Sequence, residues 1–175
     1  MKSILSILIA FLFISCKSGF KAGEKHGKWE EYHPNGQVSA IGKYDKGLRV
    51  GFWQDFYNNG AIKMEGNFIS GERNGELKEY HENGQLKLNG FYINGMEDGT
   101  WLGYYSNGKK SEIREYKDDK KVGKWFWYHE NGEIKKNGQY GGKKRIGIWE
   151  YFNFDGKKIK DEYYENGDLV KTKLY

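Results

Sequence analysis

Aromatic and apolar positions recur along this chain with a period of 24 residues. Trp29, Trp53, Leu77, Trp101, Trp125 and Trp149 occupy one position, and Tyr32, Phe56, Tyr80, Tyr104, Tyr128 and Phe152 follow three residues later. A further aromatic position carries Tyr44, Phe68, Tyr92, Tyr116, Tyr140 and Tyr164. Between the first pair and the second lies a turn signal: Asn35-Gly36, Asn59-Gly60, Asn83-Gly84, Asn107-Gly108, Asn131-Gly132 and Asp155-Gly156. An Asn-Gly step between two aromatic-rich segments is the strongest short-range signal for a β-hairpin. The pattern predicts an all-β chain: an elongated, twisted array of about six tandem β-hairpin repeats.

Two turn geometries fit such a step. A two-residue type I′ loop uses Asn-Gly alone, whereas a three-residue loop uses a type I turn followed by glycine in the left-handed region. Pro34 before Asn35-Gly36 suits the second position of a type I turn, which favours the three-residue loop. The turn glycines Gly36, Gly60, Gly84, Gly108, Gly132 and Gly156 are then expected at positive φ. Counting outward from that loop pairs Tyr32 with Val38, Phe56 with Ile62, Tyr80 with Leu86 and Tyr128 with Ile134. Each such cross-strand pair contributes roughly 0.2–1 kcal/mol. Tryptophan and the aromatic residue three positions on face opposite sides of a regular strand, so both faces carry an aromatic stripe unless a bulge intervenes.

Six hairpins give about twelve strands and a length on the order of 55 Å at about 4.8 Å per strand. In such an array each repeat touches its neighbours alone. The expected organisation is a signal segment over 1–15, a modified N-terminus with a half-repeat over 16–26, and repeats over 27–50, 51–74, 75–98, 99–122, 123–146 and 147–175. The last repeat departs from the pattern as a cap does, with Lys158, Glu162, Lys171 and Lys173, because lysine on an edge strand discourages sheet association. The fourth departs as well, at Lys110, Arg114 and Asp119, which marks a bend or a contact patch.

Composition agrees with a thin repeat structure. Aromatics make up 17% of the 175 residues and charged residues 30%, with 25 glycines and one proline. Disordered segments are poor in aromatics; here Trp, Tyr and Phe must carry the burial. Setting aside Lys2, 28 basic residues oppose 24 acidic ones. This mild, dispersed excess argues against nucleic acid as a partner, since binding there calls for a clustered basic face.

The first sixteen residues read differently. Lys2 precedes an apolar run, Ile4 to Ile14, that is too short to span a membrane but matches a secretory signal. The run stops at Ser15-Cys16, the chain's one cysteine. Phe13-Ile14-Ser15-Cys16 resembles the lipobox of bacterial lipoproteins, which implies lipidation of Cys16, export, and a membrane anchor in the cell envelope.

The unit G-x-W-x-x-Y-x-x-N-G with a trailing G-x-Y, as in Gly123 to Gly132 and Gly138-Gln-Tyr140, resembles the MORN-repeat variant of bacterial proteins, many labelled YwqK-type antitoxins. The resemblance covers residues from about 20 to the end. It implies hairpin repeats and a non-enzymatic, interaction-type role.

Side chains capable of chemistry are dispersed by the repeat. His33, His81 and His129 share one position in alternate repeats, roughly 19 Å apart at four strand spacings, which rules out a common metal ion. Asp118-Asp119-Lys120-Lys121 lacks the ligand spacing of a calcium loop and reads as a turn between repeats. No carboxylate pair, phosphate loop or nucleophile motif breaks the symmetry, so no catalytic, cofactor or metal site is expected. A one-layer sheet cannot cover both faces, which makes Trp29, Trp53, Trp101, Trp125 and Trp149 candidate partner-binding aromatics. The expected function is a protein-binding scaffold of the envelope with an unknown protein partner. Neutralisation of a toxin partner and binding of a glycan or lipid head group are the alternatives.

Overall fold

The computed structural model describes residues 24–175. The signal segment 1–15, Cys16 and the half-repeat up to Gly23 lie outside these residues. Thirteen antiparallel strands form one sheet in sequence order. They are β1 (Gly27–Tyr32), β2 (Val38–Asp45), β3 (Leu48–Phe56), β4 (Ile62–Ile69), β5 (Glu72–Tyr80), β6 (Leu86–Ile93), β7 (Met96–Tyr104), β8 (Lys110–Lys117), β9 (Lys120–Tyr128), β10 (Ile134–Gly141), β11 (Lys144–Phe152), β12 (Lys158–Glu165) and β13 (Asp168–Leu174).

Two kinds of turn alternate along the ribbon. Within a hairpin, His33 and Gln37 flank a three-residue loop in which the Gly36 amide donates to the His33 carbonyl at 2.9 Å. All six turn glycines have positive φ, between 75° and 97°. The expected pairs form: Tyr32 opposite Val38, Phe56 opposite Ile62, Tyr80 opposite Leu86 and Tyr128 opposite Ile134. Between hairpins the connection has two residues. Lys46-Gly47, Ser70-Gly71, Asn94-Gly95 and Asn166-Gly167 have positive φ at both positions, the geometry of a type I′ turn. Asp118-Asp119 takes that same turn, with φ of 48° and 60°.

The strand count exceeds the expected twelve by one. Asn166-Gly167 repeats the between-hairpin turn, so the chain reverses once more and β13 begins a seventh unit. Lys171 and Lys173 stand there at the glycine and tryptophan positions.

Each hairpin also contains a bulge that sequence spacing did not reveal. After Tyr32 pairs with Val38, Glu31 pairs with Ala40 and leaves Ser39 unmatched. The same one-residue slip follows Phe56–Ile62 and every later pair. A second irregularity lies on the tryptophan strands, where Gly51 adopts φ 67° beside Phe52 and Trp53. Neither bulge falls between Trp53 and Phe56 on β3, so these two side chains take opposite faces, as alternation requires.

Candidate functional site

The tryptophan face is an aromatic ladder interrupted once. Trp29 meets Tyr44 edge-on at 6.0 Å, Tyr44 meets Trp53 at 4.9 Å, and Trp53 meets Phe68 at 6.5 Å. After a break at Leu77 the contacts resume from Tyr92 through Trp101, Tyr116, Trp125, Tyr140 and Trp149 to Tyr164, at 4.9–6.3 Å. Edge-to-face pairs of this kind add about 0.5–1.5 kcal/mol each beyond their burial. The repeat glycines make room for the indoles. A β-carbon at Gly42, Gly90 or Gly138 would collide with the ring of Trp53, Trp101 or Trp149 respectively.

A row of cations covers the ladder, four residues before each tryptophan position. Lys25 lies 5.0 Å from the Trp29 ring, Arg49 lies 4.1 Å from Trp53, Lys121 lies 5.1 Å from Trp125 and Arg145 lies 4.3 Å from Trp149. Carboxylates on the same face pair with them, as when Glu31 receives Lys25 at 2.7 Å and lies 3.9 Å from Arg49. The fourth repeat exchanges the signs. Glu97 holds the cation position, and Arg114, in place of the glycine, stands 6.0 Å from Trp101 and 5.9 Å from Tyr116. Burial raises the pKa of Glu97, and Arg114 opposes that rise. The irregularity at Arg114 therefore restores a cation to the ladder from the neighbouring strand.

In the sixth repeat Glu162 takes the glycine position. Burial works against its charge, but Lys160 at 2.7 Å, the Tyr151 hydroxyl at 2.5 Å and the Tyr164 hydroxyl at 2.9 Å donate to it and hold its pKa down at about 2. Arg145 completes the cluster by donating to the Tyr164 hydroxyl at 2.8 Å.

This packing sorts the candidate partner-binding aromatics. Trp53, Trp101, Trp125 and Trp149 are buried and form the core, so their rings are not presented to a partner; Trp29, at the edge strand, keeps 36% of its surface exposed. The surface open to a partner is the opposite face. There, residues directly across from one another form a row over thirteen strands, which begins Glu30, Ile41, Gln54, Glu65, Lys78, Asn89, Leu102, Ile113 and Phe126. Asn137 and Glu150 continue it. The row has one apolar residue, Ile41, in the first repeat, is polar in the second and third, and turns apolar over three adjacent strands of the fourth and fifth. Phe52 and Phe91 of the neighbouring row are also exposed.

The rim of three-residue loops is tied from repeat to repeat by side chains. Asn35, Asn59, Asn83, Asn107 and Asn131 each donate from Nδ2 to a carbonyl 23 residues on, in the next loop, at 2.6–3.3 Å. Their Oδ1 atoms accept the amide two residues on. His33, His81 and His129 bond through Nε2 to the Phe56, Tyr104 and Phe152 carbonyls at 2.9–3.2 Å, and the Tyr57 and Tyr105 hydroxyls make the same bond in the intervening repeats. The histidines are thus struts between repeats. The other rim is tied by backbone: the Gly47, Gly71 and Gly95 amides donate to the Lys25, Arg49 and Arg73 carbonyls at 2.9 Å.

Residues 25–46, 73–94, 97–118 and 121–140 match the MORN repeat variant. The chain carries MORN-variant repeats. Each matched stretch opens at or near the cation position and runs through one three-residue loop into the following strand. The hairpins between and after the matched stretches, such as β3 with β4 and β11 with β12, keep the register of the MORN-variant repeats. The comparison with curated proteins gives no match.

The row of cations over the ladder went unread in the sequence, although the signal was present. Lys25, Arg49, Arg73, Lys121 and Arg145 keep the 24-residue period, and Glu97 interrupts it in the repeat where Arg114 replaces glycine.

Proposed function

We propose that the protein is a non-catalytic scaffold of the cell envelope, lipid-anchored through Cys16, that holds a partner protein against the open face where its fourth and fifth repeats meet. The observation that carries the reading is the apolar row Leu102–Ile113–Phe126, on the face opposite the ladder, where three successive strands place apolar side chains; elsewhere in the row Ile41 stands singly among charged and amide side chains. An apolar patch rimmed by polar residues is the usual mark of a protein contact. The rim here is supplied by Lys78, Asn89, Lys124 and Asn137. The repeat family favours a binding scaffold, and the apolar run ending at Ser15-Cys16 favours export and anchoring.

Site-specific photo-crosslinking in envelope fractions tests both halves. A crosslinker at Ile113 or Phe126 is expected to capture one discrete partner, whereas the same group at Gln54 or Glu65, in the polar part of the row, captures none. Metabolic labelling with a palmitate analogue is expected to mark the wild type and to fail for Cys16→Ala. Equal capture from all four positions would refute the surface where the fourth and fifth repeats meet; labelling of the alanine variant would refute the anchor.

A further inference from the structure

The third repeat is where the ladder lacks a rung. Leu77 stands at the position that tryptophan holds in the five other repeats. It is buried over Gly66, where an added β-carbon would lie 3.1 Å from its Cδ1. It covers the floor of the slot but has no ring to place between Phe68 and Tyr92. An open cleft of about 390 Å³ lies beside the buried Leu77, between Phe68 and Tyr92, lined also by Glu72, Arg73, Asn94 and Met96 and by the turn glycines Gly71 and Gly95. Its size falls within the range of small-molecule sites, about 300–1,000 Å³.

Arg73 registers the same loss. Arg49 and Arg145, its counterparts, sit 4.1 and 4.3 Å from an indole and face carboxylates. Arg73 is exposed and lies 5.5 Å from the Tyr92 ring, with no indole beneath it. A guanidinium in that state can take a carboxylate in a two-point hydrogen bond.

We propose that the gap at Leu77 binds a small planar aromatic carboxylate. The ring takes the place of the missing indole between Phe68 and Tyr92, and the carboxylate meets Arg73. The chain supplies its own template. In the five tryptophan repeats the same backbone frame holds an indole with edge-to-face neighbours at 4.9–6.5 Å and a cation 4.1–6.0 Å from the ring centre. The third repeat keeps the frame, both flanking rings and the cation. This inference is independent of any protein partner on the opposite face.

The test is a nitrogen-15 NMR titration of the full chain with indole-3-acetate, with indole and acetate as separate arms. Indole-3-acetate is expected to shift the amides of Phe68, Arg73 and Tyr92 and to bind at least about tenfold more tightly than acetate. Leu77→Trp fills the slot and is expected to abolish these shifts and raise the melting temperature. Leu77→Phe, a smaller ring, serves the same purpose should the tryptophan variant fail to fold. Arg73→Gln is expected to weaken indole-3-acetate about tenfold and leave indole within about twofold. Absence of shifts at the three residues, or undiminished binding by the folded Leu77→Trp or Leu77→Phe variant, would overturn the site. An unchanged affinity in Arg73→Gln would overturn the role of the carboxylate.

Discussion

The two faces of this sheet are built from the same strands and obey opposite rules. On the ladder face nearly every departure from the repeat is answered by a neighbour: where Glu97 displaces a cation, Arg114 supplies one from the next strand, and where Glu162 displaces a glycine, Lys160 and two tyrosine hydroxyls close around it. On the open face the departures stand unanswered, and Leu102, Ile113 and Phe126 sit together in a row whose other members, Ile41 apart, are amides and charges. Compensation is the signature of packing, because an unpaired buried group costs free energy. Its absence is the signature of a surface free to vary for binding.

The largest test of this contrast is a pair of truncations two strands apart. Trp101→Ala is expected to cost about 3–5 kcal/mol in urea unfolding, the range for a large buried aromatic. Phe126→Ala, half-buried on the other face, is expected to cost about 1 kcal/mol or less. Equal losses would mean that the open face carries as much of the fold as the ladder.

A second pair uses neighbours on one strand. Gly90→Ala places a methyl into the Trp101 ring and is expected to cost roughly 1–3 kcal/mol through overpacking. Asn89→Ala, one residue away on the open face, is expected to stay within about 0.5 kcal/mol. A small loss for Gly90→Ala would mean that the ladder slides over its strands instead of being seated on them.

The third sharpens the contrast by pH. The folded-state pKa of Glu162 is depressed, so its contribution is present above the ordinary carboxylate range and is lost as pH falls toward about 2. Glu162→Gln is therefore expected to lower stability at pH 7 by at most about 3 kcal/mol, the value set by a fall from 4.5 to about 2 at 1.36 kcal/mol per pH unit, and by less where solvent screens the cluster. The difference between wild type and variant should vanish by about pH 2. Glu76→Gln, in an exposed ion pair with Lys78, is expected to change little at any pH. Melting curves of the three proteins across that range decide it.

Most of the architecture was legible in the sequence because a fixed period converts local signals into a register. Pro34-Asn35-Gly36 identified the loop, and the loop identified the pairs. What escaped was whatever depends on the interval between strands. The unmatched residue at Ser39 and its equivalents carries no residue-type signature, and the bulge it makes is visible only from the partner strand. The burial of the tryptophans escaped for a related reason. The five tryptophans at the repeat position read as a sticky surface until the glycines across from three of them, Gly42 for Trp53, Gly90 for Trp101 and Gly138 for Trp149, prove to be the seats of their rings. The apolar exception at Leu102, Ile113 and Phe126 was present in the sequence, yet these residues come from three strands and become a row through pairing alone.

The smallest effect concerns the rim. Asn83→Ala removes one donor to the Ser106 carbonyl and is expected to cost about 1 kcal/mol. Asp155→Asn, in the sixth loop, is expected to be neutral, since among the described residues no further three-residue loop stands beyond it to receive an amide. A large effect at Asp155 would show that its carboxylate has a task of its own.

The strand order has a mechanical consequence. Because every strand is bonded to its neighbours in sequence, a pull between the two ends of the ribbon loads the outermost ladder one hydrogen bond at a time, as a zip is drawn, and never shears many at once. The stitched rims of asparagine, histidine and tyrosine then act as evenly spaced catches. Under tension such a ribbon pays out strand by strand in equal steps, yielding length early and parting late.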